Sequence, residues 1–138
     1  FDDVYNTFDK TIDILHIDGL HTLDAVTNDY NKWITKTSDN AVILFHDVVS
    51  YPDTVGKLFN SIHQYPKFYF THSAGLGVIC KNLYVLNKIL TSADIPNKDC
   101  IIYDNNNNIN INIHPNKGFR IFLHRNLVQV YVRVKKSE

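Results

Sequence analysis

Two short apolar runs, each followed by an acidic residue, constrain the fold of this chain more than any other feature. The first run, Ile12–Ile17, leads into Asp18, and the second, Ala41–Phe45, leads into His46 and Asp47. Nearly continuous apolar runs of this length are typical of parallel strands that are buried on both faces. The two runs therefore favour a sheet whose neighbouring strands both end in polar side chains.

A helical pattern separates the two runs. Its apolar residues recur at the spacing of one helix face, at Leu23, Val26, Tyr30 and Ile34. Thr22 stands where an N-cap residue accepts a backbone hydrogen bond, and we expect the helix to end at Ser38–Asn40. A strand, a helix and a strand in succession predict a βαβ unit with parallel strands.

The flanking segments complete the predicted sheet. Pro52 opens a second helical pattern, and Lys67–Thr71 and Leu76–Cys80 have the pattern of two short strands joined by a turn. We expect these two strands to pair antiparallel at the edge of the sheet. Phe1–Lys10 is expected to be the end of an upstream connection.

The pattern changes after residue 82, from alternating strands and helices to a short helix followed by strands. The segments with strand character are Cys100–Tyr103, Ile109–Ile113, Phe119–Leu123 and Leu127–Val134. The sequence thus predicts an α/β unit over residues 1–82, part of a Rossmann-like sheet, and a β-rich C-terminal appendage over residues 83–138.

Composition excludes several classes of function. Lys and Arg together number 14, as do Asp and Glu, so the neutral chain gives no reason to expect a nucleic-acid partner or a charged membrane surface. No apolar run has the length of a membrane span. Cys80 and Cys100 are too few for a disulfide framework and lack metal-ligand spacing, which fits a reducing compartment such as the cytoplasm.

The polar strand ends are the first candidates for chemistry, because ligands of open α/β sheets bind there. Neighbouring strands lie about 4.8 Å apart, close enough for Asp18 and Asp47 to share a hard divalent cation. His21 follows three residues after Asp18 and could accept a proton from a hydroxyl that the cation activates. The alternative is that each acid only caps a helix or bonds to a loop.

The ordered motifs resemble a known family. Ile14–Thr22, with its HIDG-x-H sequence, is followed by Val42–Asp47, which ends in HD, and by Gly75–Val78. This order is similar to the C-terminal half of class I S-adenosylmethionine-dependent methyltransferases, in particular to the bacterial branch of sugar and small-molecule O-methyltransferases. The resemblance covers about residues 11–81.

The resemblance implies roles for four residues. In metal-dependent relatives the matching acids hold magnesium, which makes Asp18 and Asp47 the expected ligands. The histidine after the first acid is the general base, which points to His21. His46 replaces an acid of some relatives, so it joins the expected metal set while the identity of the third ligand stays open. Sugar or other small-molecule hydroxyls are the implied acceptors.

The cofactor half of such an enzyme has no counterpart in this sequence. That half needs a glycine-rich turn between a strand and a helix, and none of the five glycines is in a G-x-G-x-x-G arrangement at such a turn. The chain begins with Phe1 and contains no methionine, so we expect it to be a piece of a longer protein. S-adenosylmethionine is therefore expected only in the complete parent, and the chain alone is expected to be inactive.

Three functions remain open at this point. The first is a fragment that contributes the acceptor and metal side of an O-methyltransferase. The second is a non-catalytic methyltransferase-like module used in binding or assembly, and the third is a metal-dependent hydrolase or hydroxylase. Under each, the exposed edge of the Asp18 strand demands a partner: an upstream segment, another chain or a second copy of this chain.

Overall fold

The described part of the chain folds around a mixed sheet with helices on both faces. The computed structural model describes residues 2–92 and 100–103. The elements are α1 (Asp2–Thr7), β1 (Ile12–Ile17), α2 (Leu23–Trp33), a 3-10 turn (Ile34–Lys36), β2 (Thr37–His46), a π-helical turn (Pro52–Gly56), α3 (Lys57–Ser61), β3 (Lys67–Phe70), β4 (Leu76–Cys80), α4 (Leu83–Ser92) and β5 (Cys100–Tyr103). The predicted α/β class is confirmed.

The strand order in the sheet is β1-β2-β4-β3-β5. Strands β1 and β2 are parallel neighbours joined through α2, as the βαβ prediction requires. Strands β3 and β4 pair antiparallel, which confirms their predicted pairing. Their predicted place at the edge is wrong, because β4 lies between β2 and β3 and β5 pairs with the other side of β3.

The two faces of the sheet carry separate apolar clusters. The front cluster lies under α2 and α3 and includes Leu15, Ile43, Phe45 and Phe59, all at most 1% exposed. The back cluster lies under α4, which contributes Leu86 to the buried aromatic and aliphatic residues of β3 and β4. Side chains alternate between the two clusters along β2, β3 and β4, as the pleat of a strand dictates.

Two predicted boundaries are wrong. Ser38–Asn40 does not end α2 but belongs to β2, which begins at Thr37. The register of β1 against β2 shifts between Ile12 and Ile14, so the residues after Thr37 bulge from the ladder and tolerate polar side chains. One of them is fixed by a 2.6 Å hydrogen bond from Ser38 Oγ to Asp13 Oδ1.

The N-terminal segment, predicted as the end of an upstream connection, contains a short helix. Its α1 helix and the residue after it pack two aromatic side chains, Tyr5 and Phe8, edge-on against Trp33 of α2. Lys36 Nζ donates to the Phe8 carbonyl at 2.9 Å. A six-residue helix gains little from its own hydrogen bonds, so these contacts with α2 account for it.

Part of the predicted appendage lies in the described region. The helix expected from Leu83 and the strand Cys100–Tyr103 are both present, as α4 and β5. Both contact the same sheet as the preceding strands. The strands expected at Ile109–Ile113, Phe119–Leu123 and Leu127–Val134 lie outside the described residues, and the division at residue 82 stays a prediction.

No helix within residues 2–92 has the length and apolar character needed to cross a lipid bilayer. This finding agrees with the hydropathy of the sequence.

A buried lysine connects α3 to the sheet. Lys67, the first residue of β3, is 4% exposed, and its Nζ donates to the carbonyls of Phe59, Asn60 and Ile62 at 2.7 to 2.9 Å. Burial lowers the pKa of Lys67 to about 8. The side chain therefore satisfies the carbonyls of Asn60 and Ile62 at the end of α3 and adds a shorter hydrogen bond to the Phe59 carbonyl, which also accepts from the Ile62 amide at 3.4 Å.

Removing the Lys67 ammonium group should destabilise the fold. We expect Lys67→Met to lower the free energy of unfolding by about 2 to 4 kcal/mol, because three charge-assisted hydrogen bonds to backbone carbonyls are lost next to the core. Urea unfolding monitored by circular dichroism measures the change. Lys57→Met, which alters an exposed lysine of α3, should change stability by less than about 0.5 kcal/mol. Equal effects of the two substitutions would contradict the assignment.

Candidate functional site

The candidate site lies at the carboxyl ends of β1 and β2. Because the strands are parallel and Ile17 is in register with Phe45, the residues that follow each strand lie side by side. Asp18 comes directly after β1, His46 is the last residue of β2, and Asp47 begins the next turn. The predicted proximity of the two acidic residues is therefore confirmed.

The backbone conformation of Asp47 explains how two consecutive residues reach one site. Side chains of neighbouring strand residues point to opposite faces, which would separate His46 from Asp47. Asp47 instead has a φ of 67°, in the left-handed region that aspartate adopts more readily than most residues. The chain turns there, and both side chains approach Asp18.

Three side chains form a compact cluster of metal-ligand type. One donor atom from each of Asp18, His46 and Asp47 lies within 4.8 Å of the others. His46 Nδ1 is 3.0 Å from Asp47 Oδ2 and 3.5 Å from Asp18 Oδ1. This nitrogen is buried and makes no hydrogen bond, so its approach to the carboxylates lacks hydrogen-bond alignment. A nitrogen and two carboxylates so arranged offer three donor atoms that one cation could share.

His21 joins the cluster through Asp47. Its Nε2 lies 2.6 Å from Asp47 Oδ2, again without the alignment of a hydrogen bond. The loop that carries His21 from the end of β1 is fixed by the N-cap of α2, where Thr22 Oγ1 accepts from the Ala25 amide at 3.3 Å. The predicted N-cap is thus confirmed, and it places His21 beside the acids.

A small cavity opens between these groups. Asp18, His21, Asp29 and His46 are its polar lining, and its apolar lining is Ile17, Leu20, Val26 and Val55. It has about 10 Å³ of room for the centre of a water-sized sphere, roughly the space for one water molecule or one ion.

The turn after β2 is held from both sides. Asp47 N donates to the Gly75 carbonyl at 3.0 Å, and the amides of Val49 and Ser50 donate to the Ala74 carbonyl. Tyr51 N donates back to the Asp47 carbonyl at 2.9 Å. The left-handed conformation of Asp47 is therefore supported by a network of backbone hydrogen bonds.

Tyr51 is the site residue that sequence reasoning missed. Its ring stacks on the His21 imidazole, with centroids 4.1 Å apart and planes inclined by 10°. The two residues come from different loops, 30 positions apart in the chain. The available signal was its position four residues after the HD motif, which does not reveal where the ring points.

His16 lies beside the cluster on the back face of the sheet. Its ring meets that of His46 edge-on at 6.4 Å. Partial burial lowers the pKa of His16, with Asp18 opposing and His46 adding to the effect.

The segment that contains the cluster is similar to known proteins. Residues 1–48 match a family of methyltransferase domains. The matched segment runs from α1 through β2 and includes Asp18, His21, His46 and Asp47. The methyltransferase resemblance predicted from the motifs is confirmed at this level, and the O-methyltransferase branch stays a prediction.

A curated relative is similar over a shorter stretch. It is an uncharacterized protein, y4gI, of Sinorhizobium fredii, 46% identical over 39 residues, which are 28% of this chain and 4% of that protein. The chain thus spans a small fraction of this much longer relative. No solved structure matches the chain.

Gly56 lies just before α3 and allows that helix to pack closely against the turn that follows β2. A Cβ on Gly56 would lie 2.6 Å from the Val48 carbonyl oxygen. Gly56 has the helical φ of −61°, so helix propensity alone predicts that Gly56→Ala stabilises the protein. The clash of an added Cβ with the Val48 carbonyl oxygen outweighs this stabilising effect.

We expect Gly56→Ala to destabilise the protein by about 1 to 3 kcal/mol in urea unfolding, the usual cost of overpacking a tight contact. Asn60→Ala, at an exposed position of α3, provides the control and should be neutral or slightly stabilising. A Gly56→Ala protein as stable as this control would refute the close packing of α3 on the turn.

Proposed function

We propose that this chain is a fragment of a metal-assisted, S-adenosylmethionine-dependent O-methyltransferase and contributes the acceptor and metal side of its active site. One observation carries the proposal: Asp18, His46, Asp47 and His21 converge at one edge of the sheet, inside the segment that matches methyltransferase domains. The acceptor would be a hydroxyl of a small molecule or sugar.

The donor set fits a divalent cation. Two carboxylates suit Mg²⁺ or Mn²⁺, and an imidazole nitrogen moves the preference toward Mn²⁺ and other transition metals. The buried His46 Nδ1 without a hydrogen bond supports this fit. Asp18, His46 and Asp47 would hold the ion, and its positive charge would make the acceptor hydroxyl a stronger acid.

His21 is suited to accept the proton of that hydroxyl. A histidine that gains a proton during the reaction becomes an imidazolium, and the Asp47 carboxylate 2.6 Å from Nε2 would stabilise this charge. S-adenosylmethionine, when bound by the rest of the parent protein, would supply the methyl group and leave as its demethylated thioether. The acceptor hydroxyl would give its proton to His21 and exchange its O–H bond for a bond to that methyl group.

We place the cofactor-binding half of the proposed methyltransferase at the unpaired edge of β1. Within residues 2–92 and 100–103, β1 pairs with β2 alone. A strand apolar enough to be buried, with an unpaired edge, favours pairing with a further strand. An upstream segment of the same protein, another chain or a second copy could supply that strand.

We place the parent in the cytoplasm and expect no nucleic-acid partner.

A second candidate function is a non-catalytic, methyltransferase-like module used for binding or assembly. The same unpaired edge of β1 favours it, since an edge strand can recruit another chain without any chemistry at the strand ends. The two candidates differ in whether the cluster binds metal and supports methyl transfer.

Metal binding provides the first test. We expect Mn²⁺ or Mg²⁺ to raise the melting temperature of the intact parent, because a ligand that binds only the folded state stabilises it. Asp18→Asn combined with Asp47→Asn should weaken Mn²⁺ binding by more than about tenfold in calorimetry and remove the thermal shift.

The matched control is Asp9→Asn with Asp39→Asn, which removes two exposed acids and changes the net charge equally. This control should keep the thermal shift. A shift that survives in the Asp18 and Asp47 double variant would overturn the metal assignment.

Methyl transfer provides the second test. In the full-length protein supplied with Mn²⁺ and S-adenosylmethionine, we expect His21→Gln to lower kcat by about 10²- to 10⁴-fold, the usual contribution of a general base. His63→Gln, at an exposed position, should leave kcat unchanged. A folded, metal-binding parent that transfers no methyl group to any of a panel of hydroxyl acceptors would favour the non-catalytic module.

A further inference from the structure

We propose that Tyr51 is a positioning residue that holds the His21 imidazole against Asp47 in the orientation needed to accept a proton. This inference rests on the proposed function of the site, because it assigns a task to the proposed base. Tyr51 lies outside the segment that matches methyltransferase domains, which ends at residue 48.

The stacking geometry restricts how the imidazole can rotate. The ring of Tyr51 covers one face of His21 at a centroid distance of 4.1 Å and an angle of 10°. A rotation of the imidazole about its Cβ–Cγ bond would drive its edge into the tyrosine ring. His21 Nε2 therefore stays near Asp47 Oδ2, at 2.6 Å, and the orientation of the other ring nitrogen is fixed with it.

Tyr51 itself is anchored to the same turn as Asp47. Its amide donates to the Asp47 carbonyl at 2.9 Å, and its own carbonyl accepts from Gly56 N at 3.0 Å. Both contacts belong to the backbone, so a change of the Tyr51 side chain leaves them in place. Asp47 and the stacking ring of Tyr51 thus belong to one hydrogen-bonded turn that faces His21.

Burial alone does not explain the position of this tyrosine. Tyr51 is 42% exposed, whereas the aromatic residues of the front cluster are almost entirely buried. The ring is held at the surface in parallel contact with the site histidine, where it adds little to the core. A positioning task accounts for such a placement.

The experiment separates orientation from catalysis. Tyr51→Leu removes the aromatic ring while keeping an apolar side chain, and Tyr51→Phe keeps the ring and removes only the hydroxyl. Tyr84→Leu, which alters a 68% exposed tyrosine of α4, is the matched control. Each variant is made in the full-length protein and compared by NMR, by Mn²⁺ calorimetry and by methyl-transfer kinetics.

In NMR spectra at constant pH, the His21 ring protons should show the upfield shift caused by a stacked aromatic ring and cross-relaxation with Tyr51. Tyr51→Leu should remove the upfield shift and lower kcat by about tenfold, part of the contribution of a positioned base. Mn²⁺ affinity should change by less than about twofold, because the Asp47 backbone contacts remain. Tyr51→Phe should restore the shift and most of the kcat, and Tyr84→Leu should match the unaltered protein.

Two results would overturn the proposal. One is a Tyr51→Leu protein whose kcat equals that of the unaltered enzyme while His21→Gln is inactive, and the other is a His21 spectrum that does not respond to Tyr51→Leu. If no variant transfers methyl groups but the His21 signals still depend on the Tyr51 ring, the proposed function fails while the positioning contact stands. The NMR and kinetic readouts thus distinguish the two failures.

Discussion

The parallel pairing of β1 with β2 is the constraint on which the site depends. Parallel neighbours end at the same edge of a sheet, so this one interaction brings Asp18 beside His46 without any long side chain having to reach across. Antiparallel pairing would place the two strand ends at opposite edges. The apolar face of α2, which covers both strands, makes the parallel arrangement stable by burying Val26, Tyr30 and Trp33.

The backbone conformation of Asp47 completes the site that the parallel pairing of β1 with β2 brings together. The left-handed conformation of Asp47 costs free energy for a residue other than glycine, and such conformations persist when surrounding contacts determine them. Here the carbonyls of the turn between β3 and β4 accept hydrogen bonds from the amides of Asp47, Val49 and Ser50, and the Tyr51 amide donates to the Asp47 carbonyl. The turn that follows β2 carries both Asp47 and the Tyr51 ring that stacks on His21, so the acid and the proposed proton acceptor are positioned by one structural unit.

Sequence patterns predicted the parts of the fold that depend on periodicity. The runs before Asp18 and His46 identified β1 and β2, and the spacing of α2 identified its buried face, because burial selects side chains at regular intervals. The helical α1, the start of β2 at Thr37 and the covering of β3 by β5 escaped prediction, since they depend on contacts between distant segments. Tyr51 escaped for the same reason: stacking between two loops leaves no periodic trace.

The turn that follows β2 is held in place by residues that lie outside the segment matching methyltransferase domains. All four polar site residues lie within residues 1–48, yet the carbonyls of Ala74 and Gly75 hold the amides of Asp47, Val49 and Ser50. Gly75 itself, at a φ of 81°, packs against the Val49 side chain and leaves no room for a Cβ. The smallest piece that can preserve the geometry of the acids therefore extends through β4, well beyond the segment that matches methyltransferase domains.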